Sequence, residues 1–179
     1  MDVAFTGSTS KTELKELSPL IDRPHQTVRS STRELALDYG KGLLTIDAGQ
    51  AQGASGNLSA GGAMELGDIT IQSSLDNAHL VLVSLDGSPL KTSRRMLLQV
   101  MSEEQATGFA TENAGAGVKK ITNIGRDPWR VKSIEGTVRF KSGAVQIQSL
   151  DFNGYPQGAS SRSAELKLDL ETIYYLVTR

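Results

Sequence analysis

From Arg33 onward, apolar and polar side chains alternate with a period of two, and that rhythm specifies β-structure. Leu35 and Leu37 alternate with Glu34 and Asp38, and Val138 and Phe140 with Thr137 and Arg139. Val145 and Ile147 alternate with Gln146 and Gln148, and Leu166, Leu168 and Leu170 with Lys167 and Asp169. Successive side chains of a strand point to opposite faces, so the pattern predicts half-buried antiparallel strands with the apolar side inward. His79–Leu85 is apolar on both sides and reads as a central strand with both faces covered. Tyr174–Val177 is similar and is expected to close the sheet at the C-terminus.

Counted between turn signals, the runs give about ten to twelve strands, at the spacing of roughly 8–12 residues typical of a sandwich or jelly roll. No amphipathic segment of helical length separates them, which excludes a parallel α/β arrangement. Met96–Gln105 carries good helix formers, but its apolar run is short and Thr107, Gly108 and Phe109 follow directly; it is read as a strand rather than a helix. The fold expected is all-β, an antiparallel two-sheet sandwich of jelly-roll type over residues 29–179. An N-terminal arm or linker, 1–28, precedes it. Ser10-Lys11-Thr12-Glu13 has the form of a capping box ahead of Leu14 and Leu17, so a short helix is expected there, stopped by Pro19.

A chain of 179 residues buries enough surface to need no staple, and it has no cysteine for a disulfide or thiolate metal site. Nineteen basic against twenty acidic residues leave a formal charge of −1, without the basic footprint of a nucleic-acid binder. No apolar run approaches the ~20 residues that span a bilayer, and Met1–Ser10 has neither the basic nor the apolar region of a signal peptide. No nucleic-acid or membrane partner is therefore expected.

Catalytic and metal chemistry find little purchase. The two histidines, His25 and His79, are far apart and have no ligand spacing; His79 reads as structural. Asp38, Asp47, Asp86, Asp127 and Asp151 stand at strand ends, where oxygens can hold a structural calcium, yet their spacing follows no calcium motif and they read as turn formers. No cofactor is expected. Gly53-Ala54-Ser55-Gly56 misses the nucleophile elbow by one residue, and the glycine-rich stretches at 53–62 and 113–117 lack a P-loop ending, so both read as turns and bulges. Glu103 and Glu104 are neighbours, so on a strand they face opposite ways and cannot flank one glycosidic bond. Ser84–Pro89 and Ser149–Pro156 share Asp-to-Gly turn chemistry with proline beyond, which common turn requirements explain without a duplication.

Aromatic side chains in turns are the remaining recognition chemistry, because a sugar ring lays its apolar face on an indole or phenol while polar neighbours take its hydroxyls. Trp129, the one tryptophan, follows Arg126 and Asp127 in Gly125-Arg126-Asp127-Pro128-Trp129-Arg130; Tyr155 and Tyr39 also occupy turn contexts. These five residues form the candidate carbohydrate surface. The competing role for Trp129 is a core plug. Aromatics make up 5% of the chain, too few for a long planar strip, so a groove or chain-end pocket is expected.

Arg29-Ser30-Ser31-Thr32-Arg33-Glu34-Leu35 and Gly42–Gly53 resemble the opening of a C-terminal β-sandwich accessory module, like a carbohydrate-binding module. Such modules follow the (β/α)8 barrel of bacterial glycoside-hydrolase-like proteins. Val83–Leu90, Ser93–Leu98, Ile134–Val138 and Thr172–Tyr175 are similar to the same pattern, over roughly residues 29–179 in all. The resemblance implies a secreted, non-enzymatic module in a polysaccharide context, with the catalytic acids on the barrel. Its expected partners are a polysaccharide or oligosaccharide and that catalytic barrel. The alternative it implies is a structural module that stabilises the barrel without binding sugar, and that role requires an exposed apolar patch. The resemblance carries no binding-residue motif onto this chain.

Overall fold

The computed structural model describes residues 17–179, together with the backbone of an antiparallel pair, Val3–Thr6 and Thr9–Thr12. Ser10, Lys11 and Thr12 of the expected helix start lie on the second of those strands, and residues 13–16 lie outside the described residues. Pro19 sits in a single 3-10 turn, Ser18–Leu20, and no α-helix occurs among the described residues.

All sheets are antiparallel. The larger has ten strands, in spatial order Ser161–Ser163, Val145–Leu150, Tyr174–Thr178, Arg95–Ser102, Ala78–Ser84, Ala51–Gly56, Leu43–Asp47, Leu35–Asp38, Thr27–Arg29 and Ile21–Asp22. The smaller has four: Glu165–Lys167, Thr137–Phe140, Ile69–Gln72 and Ala63–Glu65. Leu80, Leu82, Leu98, Val100, Tyr175 and Val177 of the larger sheet share one buried cluster with Met64, Ile69, Ile71, Val138 and Phe140 of the smaller. Each such side chain removed from water contributes about 1.5–3 kcal/mol, and this shared layer holds the sheets face to face. Two further hairpins stand apart: Glu104–Thr107 with Arg126–Val131, and beyond it Ala110–Asn113 with Lys119–Asn123, whose residues are exposed throughout.

Several expectations need correction. Twenty strands form among the described residues rather than ten to twelve, because strands as short as Ile21–Asp22 are too brief to show alternation. Thr27–Arg29 and Ile21–Asp22 extend the large sheet, so sheet structure begins ahead of residue 29. Tyr174–Thr178 runs inside the sheet, between Arg95–Ser102 and Val145–Leu150, instead of closing its edge. Gly53 lies mid-strand, where a Cβ would meet the Leu80 carbonyl oxygen at 2.3 Å; close approach, not a turn, explains this glycine.

The largest correction concerns the outer face of the ten-stranded sheet. Ala78–Ser84 is central, as expected, but only Ala78, Leu80 and Leu82 are buried; Val81 and Val83 are half-buried and His79 is exposed. Leu35 and Leu37 point to this same outer side, 42% and 40% exposed, while Ala36 and Asp38 take the inward positions. The registers align three lateral rows. One contains Leu35, Ile46, Gly53, Val81, Gln99, Tyr174 and Leu150. A second contains Ile21, Val28, Leu37, Leu44, Ser55, His79 and Met101. The third contains Ala51, Val83, Leu97, Leu176 and Gln148. The outer face of the small sheet is the opposite in kind: Glu65 lies within 3.7 Å of Arg139 and 3.0 Å of Lys141 and accepts the Thr70 hydroxyl.

Candidate functional site

A cleft of about 510 Å³ opens where the Arg126–Val131 strand, the 151–157 loop and the 168–173 loop meet at one end of the sandwich. Its apolar lining includes buried Ile134 and the half-buried Ile173 and Leu150. Trp129 lines it at 62% exposure, and Phe152 at 73%. Trp129 is thus no core plug.

Both loops are held by their own polar groups. Asp151 accepts the backbone N–H groups of Asn153 and Tyr155 at one carboxylate oxygen, each at 2.8 Å, which folds the 151–157 loop back on itself. Gln148 Nε2 donates to the Gln157 carbonyl at 2.8 Å and ties the loop's far end to its parent strand. Asp169 accepts the Glu171 N–H at 2.9 Å and the Thr172 hydroxyl at 3.1 Å, and donates its own N–H to the buried Tyr175 hydroxyl at 2.8 Å. The Ile134 N–H donates to the Leu170 carbonyl at 3.2 Å, joining this loop to the segment that follows Trp129.

These bonds use Oδ1 of Asp151 and Asp169. Their Oδ2 atoms, the Glu171 carboxylate and the Gln157 carboxamide carry no bond to other described residues, and all four residues line the cleft. Two exposed aromatics beside uncommitted oxygen and amide groups can take a ring by its apolar face and its hydroxyls by hydrogen bonds. Asp169 and Glu171 are exposed and Asp151 is half-buried, so the cleft contains no buried carboxylate pair.

The structure brings together only part of the expected surface. Asp127 and Arg126 are exposed on the Trp129 strand, but Arg126 lines a separate depression with Thr107, Gly108, Asn123 and Gly125. Tyr155 shares the 151–157 loop, with its side chain exposed and outside the cleft lining. Tyr39 follows the Leu35–Asp38 strand, six strands from Val145–Leu150, about 29 Å away at the usual inter-strand spacing. Phe152, Asp151, Gln157, Asp169 and Glu171 were not expected there. Phe152 was findable by the criterion that selects Tyr155, an aromatic in the Asp151-Phe152-Asn153-Gly154 turn.

Several acidic and imidazole groups elsewhere are occupied locally. Asp38 accepts the Lys41 N–H, Asp47 the Gly67 N–H and Asp86 the Arg94 and Ser88 N–H groups; the His79 ring lies 2.7 Å from the Ser55 hydroxyl. Among the described residues no three His, Asp or Glu side chains converge as a metal site. None of the protein-family models, curated proteins or solved structures compared with this chain matches it.

Proposed function

We propose that this chain is a non-catalytic carbohydrate-binding module that holds a secreted glycoside hydrolase near its polysaccharide, plant-type or other, through the Trp129–Phe152 cleft. One observation carries the reading: the sole tryptophan and an exposed phenylalanine from a different loop line one cleft with uncommitted carboxylate and amide groups. The loops are braced by internal hydrogen bonds, so ordering them costs little on binding. A cleft of this volume, rather than a flat strip, suits a few sugar residues or a chain end.

Affinity electrophoresis and calorimetry against β-glucans, xylans and mannans test it. Binding to at least one glycan is expected, weakened about 2- to 10-fold in Trp129→Ala and again in Phe152→Ala, since a stacked ring contributes about 0.5–1.5 kcal/mol. Arg126→Ala and Tyr39→Ala are expected to bind as the parent does. Absence of binding across the panel, or binding indifferent to both aromatic truncations, defeats the reading. The alternative role, stabilising a barrel without touching sugar, leaves the cleft without a ligand and predicts that absence.

A further inference from the structure

The Trp129–Phe152 cleft carries charge of one sign. Asp151, Asp169 and Glu171 line it, and among the described residues no lysine, arginine or histidine does. The whole chain is nearly neutral, with 19 basic residues against 20 acidic, so the imbalance belongs to the cleft and not to the composition. We infer that the cleft selects a glycan bearing free amino groups, a glucosamine-type polymer, over neutral and acidic polysaccharides. The inference rests on the carbohydrate reading of this cleft and adds to it the charge of the sugar.

No cation neutralises these groups from within the chain. None of the three carboxylates is ion-paired with a described residue. Arg130 and Lys132, the cations next to Trp129 in sequence, line a different depression with Glu103 and Glu104, and Lys132 is bonded there to Asp76 at 2.8 Å. Lys167, two residues before Asp169, lines a third depression beside Glu135. A cleft with acidic groups of one sign and apolar walls, here Ile134, Ile173 and Leu150, focuses its field on whatever enters.

The placement of the acids fits a polymer and not a metal ion. No three His, Asp or Glu side chains among the described residues converge as a metal site, so the charges are spread about the cleft. One amine per sugar, repeated along a chain, matches carboxylates distributed in this way. The aromatics favour a sugar ring over a basic peptide. Trp129 and Phe152 offer exposed flat faces to the C–H face of a pyranose, and a protonated amine beside such a face is attracted to its ring electrons. A lysine side chain presents only a thread of methylenes to the same surfaces. An acidic polysaccharide brings its own carboxylates against three of like sign and is rejected.

Calorimetry at mildly acid pH, where the ligand's amines are protonated, tests the inference with a glucosamine oligomer and its N-acetylated counterpart of equal length. The free-amine oligomer is expected to bind about 10-fold tighter, with an affinity that falls as salt rises. Binding of the acetylated one should be nearly indifferent to salt. The Glu171 carboxylate bonds to no other described residue, so Glu171→Gln should weaken only the free-amine oligomer, about 2- to 5-fold. Adding Asp151→Asn and Asp169→Asn, which keep an oxygen acceptor at each loop, should erase the preference, with circular dichroism and melting confirming the fold. Equal affinity for the two oligomers, both weakened by Trp129→Ala, overturns the inference and leaves the carbohydrate reading standing. Tighter binding of the free amine that ignores Trp129→Ala overturns both. No binding of the free-amine oligomer, or a preference that survives the triple variant, overturns the inference. So does a lysine oligomer of equal charge that binds as tightly with the same dependence on Trp129.

Discussion

The buried Tyr175 hydroxyl accepts the backbone N–H of Asp169 at 2.8 Å, tying the loop on one side of the cleft to the core of the sandwich. Tyr175 is 1% exposed and its strand neighbours are fixed on both sides, so the loop inherits a rigid anchor from the sheet. Tyr175→Phe keeps the packing and removes the acceptor. A loss of about 1–2 kcal/mol in denaturant unfolding is expected, with faster hydrogen exchange at Asp169 and weaker glycan binding.

Alkaline pH probes the same group. Burial, the leading cause, pushes the Tyr175 phenol above its ordinary value of 10.0. The folded state therefore holds this proton more tightly than the unfolded chain does. The stability it contributes is complete below pH 10 and is lost as pH rises from there through the folded value. Melting temperatures measured from pH 8 upward should fall over that range, and less steeply in Tyr175→Phe.

Acid pH probes the turn at Asp86. Its carboxylate accepts the Arg94 N–H at 2.7 Å and the Ser88 N–H at 3.1 Å, and these bonds hold its pKa well below the ordinary 3.8. A depressed folded value means the contribution is present above the ordinary pKa and disappears as pH falls through the folded one. Exchange protection at the Arg94 and Ser88 amides should decline with acidification. In Asp86→Ala it should be low at every pH, while the remaining strands stay protected.

Gln52 closes the sandwich elsewhere. From the inner face of the large sheet its Nε2 donates to Asp68 Oδ2 at 3.1 Å, and its Oε1 accepts the Asp68 N–H at 2.8 Å. The side chain is buried, so Gln52→Ala leaves both Asp68 groups short of partners and opens a small void. A destabilisation of about 2–3 kcal/mol is expected in urea unfolding.

Gly125 governs how Trp129 is presented. Its φ is +76°, and a Cβ there would meet the Ala106 Cβ at 2.7 Å and the Phe109 nitrogen at 3.0 Å. Gly125→Ala should loosen the Glu104–Thr107/Arg126–Val131 hairpin, seen as faster exchange at Thr107 and Trp129, and lower glycan affinity. The core melting transition should move by no more than a few degrees, because the hairpin stands outside the shared core.

Alternation reported the class of the fold and even resolved the ambiguous segment, since Arg95–Ser102 is a strand. It did not report direction. Leu35 and Leu37 obey period two, yet their side chains point outward, because periodicity says that two faces differ and not which one the second layer covers. Val81 and Val83 were read as covered on the same logic, and they stand half-buried on the outer face. The cleft was legible in its tryptophan alone. Asp169 and Glu171 reach Trp129 only through the packing of the C-terminal loop, a juxtaposition across some forty residues that no local motif encodes.

Trp129 is the single tryptophan, so the protein's indole fluorescence comes from the cleft itself. The decisive measurement is its emission and acrylamide quenching during titration with a glycan that the module retains on affinity gels. A saturable blue shift with protection from quencher, absent in a control with a non-binding glycan, is the predicted result. Full-strength retention with no change at the indole would contradict the assignment of this cleft as the sugar site.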